Sequence, residues 1–324
     1  MTDLQGRRIL VTGAAGFIGA NLARSLLDAG GEVHAVVRPS TDLWRIAEIA
    51  PRLTLHRLDL TRIELVQRTV AAIRPEVILH LAAPGGHPLS QRKGTEMLVD
   101  HLLGTANLLE ATAPLDYRRF VHFGSSLEYG PRKRPHRESD LLQPSTVRGA
   151  AKAAATLLCQ QFARANRRPI VVLRPFSVYG YWEGPARLVP TAIRAVLLGQ
   201  GIALTEPGYR RDLIFAGDVV DACLLAVESK SKKVTGEVIN VGSGQQWSNE
   251  EVVEIIQALA GRRVSVRVGA YPSRPSDTGN WVADIRKAKR LLGWAPRRSL
   301  QAGLERTIAW FRQHGHVYDG AEER

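Results

Sequence analysis

Two cysteines, two methionines and 6% aromatic residues are all that these 324 residues hold of those types. Cys159 and Cys223 lie far apart, each inside an apolar helical pattern, with no CxxC or Cys/His spacing. That speaks against a disulfide framework and against a cysteine-based metal or redox site, and predicts two core residues. Long apolar runs are missing as well. No stretch reaches the roughly 18–20 residues of a membrane span, and the opening "MTDLQGRRILVTGAAGFIG" has no apolar core of signal type. A cytoplasmic protein without a membrane partner is expected. Acidic residues are scarce beside basic ones, 31 against 44, for a formal net charge of +13. The excess is mostly scattered Arg, and only "PRKRPHR" (131–137) is dense enough to form a patch. With no interleaved aromatics and no helix-turn-helix or RNA-binding motif, nucleic acid is not the expected partner; a phosphate-bearing small substrate accounts for the charge. One absence is local: no tyrosine occurs between Tyr129 and Tyr179.

What is present is the balance of an ordinary globular protein, 44% hydrophobic and 23% charged, long enough for one large domain or two that share a cleft. Short apolar runs at 7–12, 32–37, 53–58, 76–83, 118–125 and 169–175 read as strands. Amphipathic stretches such as "GFIGANLARSLLDAG" and "TVRGAAKAAATLLCQQFARAN" alternate with them and read as helices. That alternation predicts an α/β fold, a Rossmann doubly wound parallel sheet covered on both faces. After about residue 175 Gly, Pro and aromatics become frequent, which predicts a smaller, loop-rich C-terminal substrate-binding lobe, while "GEVINVG" (236–242) adds a further strand to the first sheet. The expected division is 1–175 with about 212–242 for the dinucleotide, and 176–211 with 243–324 for the substrate.

Gly13, Gly16 and Gly19 form a G-x-x-G-x-x-G turn between the first strand and an amphipathic helix. A tight turn there lets backbone approach a pyrophosphate at a helix N-terminus. Where an NAD-binding fold usually carries an acid, at the end of the second strand, this chain has Val37 and Arg38. A planar cation suits a 2′-phosphate, so NADP(H) is favoured over NAD(H).

From "TGAAGFIG" onward, nearly the whole length resembles the extended short-chain dehydrogenase/reductase family, the nucleotide-sugar epimerases, dehydratases and ketoreductases. The resemblance implies that Phe17 and Ile18 join the three glycines at the cofactor and that Asp59 and Leu60 of "LDL" lie at the adenine. It further implies that Leu81, Ala82 and Ala83 of "HLAA", together with Pro175, line the cofactor. His101 stands where the family usually has Asn. "RPFSVYG" resembles R-P-x-N-V-Y-G with Ser177 for the Asn that touches the sugar diphosphate. Arg211 of "RRDLIFAGDVVDA" and Arg274 of "RPSD" are the implied grips on a nucleotide-diphospho-sugar, and Asp212 and Asp218 are expected to be structural. A homodimer built through the fourth and fifth helices is also implied.

The family's catalytic set is a Ser or Thr followed by Tyr-x-x-x-Lys. "FGSSLEYG" supplies Ser125, Ser126 and Glu128, and Lys152 matches the Lys, but the Tyr position is Arg148. Arg does not exchange protons near neutrality. It binds an anion or stabilises developing negative charge, and two cations at i and i+4 become favourable only with an anion between them. Glu128, the cofactor phosphates and a substrate carboxylate are the candidates. Turnover then needs another proton carrier, for which Glu128 and Tyr179 are the expected choices. Two functional readings stay open: an enzyme with a non-standard proton relay, or a binding protein that keeps the fold without turnover.

Overall fold

The apolar runs of the first half are rich in Val, Ile and Leu and are closed to solvent on both sides, as strands between two helical layers must be. The computed structural model describes residues 4–83, 94–271 and 279–318. Through the first half the chain runs β1 (Arg8–Thr12), α1 (Phe17–Asp28), β2 (Glu32–Val37), β3 (Thr54–Arg57), α2 (Ile63–Ile73), β4 (Val77–His80), α3 (Gly94–Thr112), β5 (Arg119–Phe123), α4 (Val147–Ala165) and β6 (Ile170–Pro175). There follow β7 (Ser177–Tyr179), α5 (Leu188–Leu198), β8 (Ile202–Thr205), β9 (Arg210–Arg211), β10 (Leu213–Phe215), α6 (Ala216–Glu228) and β11 (Val238–Val241). The chain closes with β12 (Trp247–Ser248), α7 (Asn249–Ala260), β13 (Val266–Tyr271), α8 (Arg286–Leu292) and α9 (Leu300–His314).

Seven strands form one parallel sheet in the order β3-β2-β1-β4-β5-β6-β11. It is a Rossmann-like doubly wound sheet. The chain leaves β1 outward to β2 and β3 and then returns to β4 on the other side, which opens a crevice at the carboxyl ends of β1 and β4. α1, α6 and α8 pack on one face of the sheet, around Leu22, Leu26, Val219 and Ala288. α2, α3 and α4 cover the other, around Val66, Leu108 and Cys159. Cys159 and Cys223 are both free and buried, as expected. A separate apolar core joins α5, α7, α9 and β8 around Ile193, Ile202, Ile256 and Phe311. Three short two-stranded pairs, β10–β7, β12–β9 and β13–β8, stand apart from the seven-stranded sheet. Among the described residues no helix is long and apolar enough to cross a membrane.

Candidate functional site

The crevice is built from turns that leave β1, β4 and β5. Gly13 follows β1 with φ +75°, and a Cβ there would lie 2.8 Å from the Ala82 nitrogen, so the loops after β1 and β4 touch only because residue 13 has no side chain. The Ala82 N–H also donates to Thr12 Oγ1 at 3.2 Å. Gly16 caps α1 without a side-chain hydrogen bond, and no acid occupies the helix's first turn. Phe17 and Ile18 open that helix, and Gly19 lies on its buried side. The result is a backbone cradle at a helix N-terminus with uncompensated N–H groups, which fits a pyrophosphate. Leu81, Ala82 and Ala83 leave β4 as loop rather than strand, since β4 ends at His80.

Farther along the crevice, Asp59 Oδ1 accepts from both the backbone N–H and the hydroxyl of Thr61, at 2.9 Å each. Those bonds, the backbone one first, hold its carboxyl below the usual range. The Leu60 carbonyl accepts from Asn107 Nδ2 at 2.8 Å, which anchors this loop to α3. Arg38 lies at the end of β2, and its guanidinium donates to Asp100 Oδ2 at 2.8 Å. Any 2′-phosphate brought there meets a cation already paired with a carboxylate.

At the end of β5 the chain turns through Ser126–Glu128. Ser125 caps this turn, accepting from the Leu127 N–H, while Glu128 Oε1 accepts from the Ser125 N–H at 2.7 Å. Oε1 also accepts from Thr156 Oγ1 at 3.1 Å, and Oε2 from Arg174 at 2.6 Å. Both oxygens are therefore held, and the side chain is 0% exposed. This corrects two expectations for Glu128. Its ion-pair partner is Arg174 on β6, not Arg148, and a carboxylate closed to solvent and locked by three donors is not placed to carry protons. Tyr179 is corrected likewise: its hydroxyl donates to the Leu300 carbonyl at 3.2 Å inside the second core. Ser126 Oγ accepts from Trp281 Nε1 at 3.0 Å and is buried.

α4 begins with Thr146, whose hydroxyl accepts from the Gly149 N–H at 3.0 Å. A Cβ on Gly149 would come within 2.4 Å of the Leu127 carbonyl oxygen, so the first turn of α4 lies directly on the Ser125 turn. Arg148 and Lys152 are thereby placed beside the end of β5. Lys152 is 8% exposed and donates to the Phe123 carbonyl at 2.6 Å. Burial, reinforced by the Arg148 charge, pushes its ammonium down to about 8, against an opposing pull from Glu128. Arg148 is half-buried and has no hydrogen bond or ion pair among the described residues; burial and the nearby charge of Arg187 lower its pKa. The two cations thus stand side by side, with no carboxylate of the described residues paired to Arg148.

Beneath them lies a cluster that the sequence did not announce. His80 bonds Thr12 Oγ1 at 2.7 Å and Thr105 Oγ1 at 3.0 Å, and its ring centroid lies 5.2 Å from that of His122. His101, at the family's Asn position, is buried on α3, and burial with the charges of Lys152, Arg148 and Arg38 pushes it down to about 2. His80 falls to about 3 for the same reasons, burial first and Lys152 next. Such buried histidines are neutral at pH 7.

On the opposite wall Pro175 ends β6, and Ser177 pairs with Leu213 as β7 meets β10. The Arg211 guanidinium lies 5.3 Å from the Trp281 ring centroid. Arg274 is outside the described residues. Asp212 accepts from the backbone of Ser243, Gly244 and Ala283, and Asp218 from Arg298, so both serve the fold, as expected. Sequence reasoning missed Arg174, Thr12, Thr156, Asn240 and Trp281. The only local signal was Arg174 itself, a charged residue inside the apolar run "PIVVLRP".

The model of the NAD dependent epimerase/dehydratase family matches residues 9–242. A dTDP-glucose 4,6-dehydratase of Neisseria gonorrhoeae is 29% identical, over 94% of this chain and 95% of its own. An epimerase structure from Methanothermobacter thermautotrophicus superposes with TM-score 0.88 at 29% identity, covering 98% of this chain and 95% of that one. A UDP-glucuronic acid 4-epimerase from Bacillus cereus, in complex with UDP-glucuronic acid and NAD, gives TM-score 0.83 at 28% identity, covering 94% and 99%. A match over more than half of the sequence, on a fold that agrees from end to end, makes this chain a member of the NAD-dependent epimerase/dehydratase family of enzymes.

Proposed function

We propose that the protein binds a nicotinamide dinucleotide in the β1–β4 crevice and acts on a nucleotide-diphospho-sugar as an epimerase, dehydratase or 4-ketoreductase. The observation that carries this reading is the placement of buried Lys152 against the Phe123 carbonyl, beside the Ser125 turn, in a sheet whose β1 and β4 loops close on Gly13. Residues 1–175 with about 212–242 hold the cofactor, and 176–211 with 243–324 receive the sugar nucleotide. When bound, the nicotinamide supplies hydride acceptance and return. Gly13, Gly16, Phe17, Ile18 and Gly19 cradle its pyrophosphate; Asp59 and Leu60 meet the adenine end; Leu81, Ala82, Ala83 and Pro175 line the middle; Lys152 grips the nicotinamide ribose. Ser125 orients the reacting sugar hydroxyl, and Arg148, a permanent cation, stabilises negative charge that develops on its oxygen. Arg211 and Arg274 hold the diphosphate, with Ser177 beside them.

The preference for NADP(H) rests on Arg38. Its pairing with Asp100 means that a 2′-phosphate must compete with that carboxylate, which narrows the preference without reversing it. A homodimer is proposed through α3 and α4, in place of the fourth and fifth helices expected from the sequence, because the exposed apolar residues lie on these two helices. Leu98, Val99, Leu102 and Leu103 on α3, with Leu157 on α4, are exposed large hydrophobics at helical spacing. Light scattering on the wild type and on a Leu102→Glu variant tests it; a wild-type monomer overturns it.

One observation favours the second reading, a binding protein without turnover: Arg148 stands in place of the proton-transferring Tyr. Incubation of the purified protein with NAD or NADP and a panel of UDP-, dTDP- and GDP-sugars separates the two. Conversion of any sugar, with or without transient nicotinamide absorbance, supports the enzyme. Tight binding with no conversion supports the alternative.

A further inference from the structure

Among the described residues, the titratable groups around the Ser125 turn that could replace the missing tyrosine are engaged elsewhere, with one exception. Tyr129, the nearest tyrosine in sequence to the Ser125 turn, is 0% exposed and donates to Asn240 Oδ1 at 2.7 Å. Tyr179 belongs to the second core, and Glu128 is locked by Arg174, Thr156 and its own capping box. His80 has both ring nitrogens engaged by threonines. His101 is held unprotonated by burial and by three cations, which makes it a poor base. Lys152 remains. Its Nζ donates one hydrogen to the Phe123 carbonyl, so a neutral amine keeps that bond and still holds a lone pair.

We propose that Lys152, beyond gripping the cofactor, is the terminal proton acceptor and donor for the reacting hydroxyl in this chain. The proposal rests on the nucleotide-sugar reading above. In the oxidative direction the hydride leaves the sugar carbon for the oxidised nicotinamide, and the hydroxyl proton passes to the Nζ lone pair. The carbon–oxygen bond becomes a carbonyl and Lys152 becomes an ammonium. In the reductive direction the same proton returns to oxygen as hydride returns to carbon. Arg148 takes no proton in either direction and stabilises the oxygen while its charge develops.

The surroundings poise Lys152 for this exchange. Arg148 and Cys159 face it from α4, Glu128 from the Ser125 turn, His80 from β4, His101 from α3 and His122 from β5. The three histidines are neutral, and burial pushes the Cys159 thiol well up, so it too is uncharged. Arg148 and Glu128 act on Lys152 in opposite senses. Glu128 is itself paired with Arg174, which weakens its hold on a proton at Lys152. The tyrosine-to-arginine change therefore removes one carrier and also pushes the neighbouring amine toward neutrality.

The test has one arm that needs no turnover. Carbamylation by cyanate, followed at Lys152 by peptide mass spectrometry across the neutral-to-alkaline range, reports the titration of its amine. A midpoint at least one pH unit below that of the surface lysines is expected, and a midpoint equal to theirs overturns the proposal. In the second arm, Lys152→Arg is expected to keep dinucleotide affinity within about threefold while turnover falls at least 100-fold. Lys152→Ala should regain turnover with added methylamine, at a rate that follows the free-base concentration. Retained turnover in Lys152→Arg, or a depressed midpoint without amine rescue, also overturns it. Failure of the unaltered protein to convert any sugar nucleotide instead overturns the reading on which the proposal rests.

Discussion

The guanidinium of Arg174 donates to Glu128 Oε2 at 2.6 Å while both side chains are closed to solvent, and its planar face lies 4.4 Å from the Tyr129 ring centroid. This pair joins the carboxyl end of β6 to the turn that ends β5, and so fixes the height of Ser125 above the sheet. Its net contribution to stability is small, because two charges lose their hydration to form it. Breaking it is a different matter. Arg174→Met leaves Glu128 as an unpaired buried carboxylate and is expected to cost about 3–5 kcal/mol in urea unfolding. Adding Glu128→Gln should return part of that loss. Equal stability of the single variant and the wild type would show that the pair does not hold the turn.

Arg38 gives the cofactor prediction. Arg38→Ala removes the cation that pairs with Asp100 at this place. NADP affinity is expected to fall roughly tenfold, about 1.4 kcal/mol, while NAD affinity changes little. Calorimetry with both dinucleotides decides it; an unchanged ratio of affinities removes Arg38 from the 2′-phosphate.

Arg211 gives the substrate prediction. Its guanidinium shares the wall with Trp281, and Arg211→Ala is expected to cost about 1.5–3 kcal/mol of sugar-nucleotide binding by loss of a charge-assisted bond. Fluorescence titration with a UDP-sugar measures it, and an unchanged affinity would move the diphosphate elsewhere.

How much of this was legible follows from which interactions are local. The seven sheet strands were, because each is a short apolar run bounded by turn residues, and "VINV" returned to the sheet as expected of "GEVINVG". The glycine cradle was, since a turn that tight tolerates no side chain. The partner of Glu128 was not. Arg174 is 46 residues away on another strand, and no periodicity links a strand-interior Arg to a turn acid. The histidine cluster was invisible for the same reason: His80, His101 and His122 come from two strands and a helix, and only the parallel register His80 to His122 brings two of them together. Arg148 was legible as a departure, whereas its lack of a carboxylate partner among the described residues was not.

Those histidines predict an acid-side instability. His136, held at about 4, joins His80 at about 3 and His101 at about 2, and His122 lies well below the ordinary value. Below about pH 6.5 the unfolded chain takes up protons that the folded chain refuses, so stability falls as pH drops, by about 1.4 kcal/mol per pH unit for each such histidine. Glu183, pushed up to about 8 by burial, acts in the opposite sense, its contribution shrinking as pH rises toward that value. Neither ring nitrogen of His122 has a hydrogen-bond partner among the described residues. His122→Phe should therefore be neutral or stabilising near pH 7 and should lower the acid slope by about one proton. Denaturation series across pH would show it; an unchanged slope would mean that His122 is protonated in the folded state.

Arg148→Tyr is the sharpest test of the site. Position 148 lies one helical turn before Lys152, so the helix face that turns Lys152 toward the end of β5 carries residue 148 as well. The substitution adds a hydroxyl able to exchange protons and removes a permanent cation. The two changes pull apart. If Arg148 stabilises charge on the reacting oxygen, its loss lowers turnover of the native sugar nucleotide roughly 100-fold or more, the scale of one lost oxyanion donor. It also relieves Lys152 of a like charge, so the cyanate midpoint at Lys152 should move up in pH. If the site has only lost its relay, the same variant should gain turnover on a common sugar nucleotide. We expect the fall in turnover together with the upward shift. A gain in turnover would show that Arg148 has no electrostatic role in the reaction, and an unmoved midpoint would show that its charge does not reach Lys152.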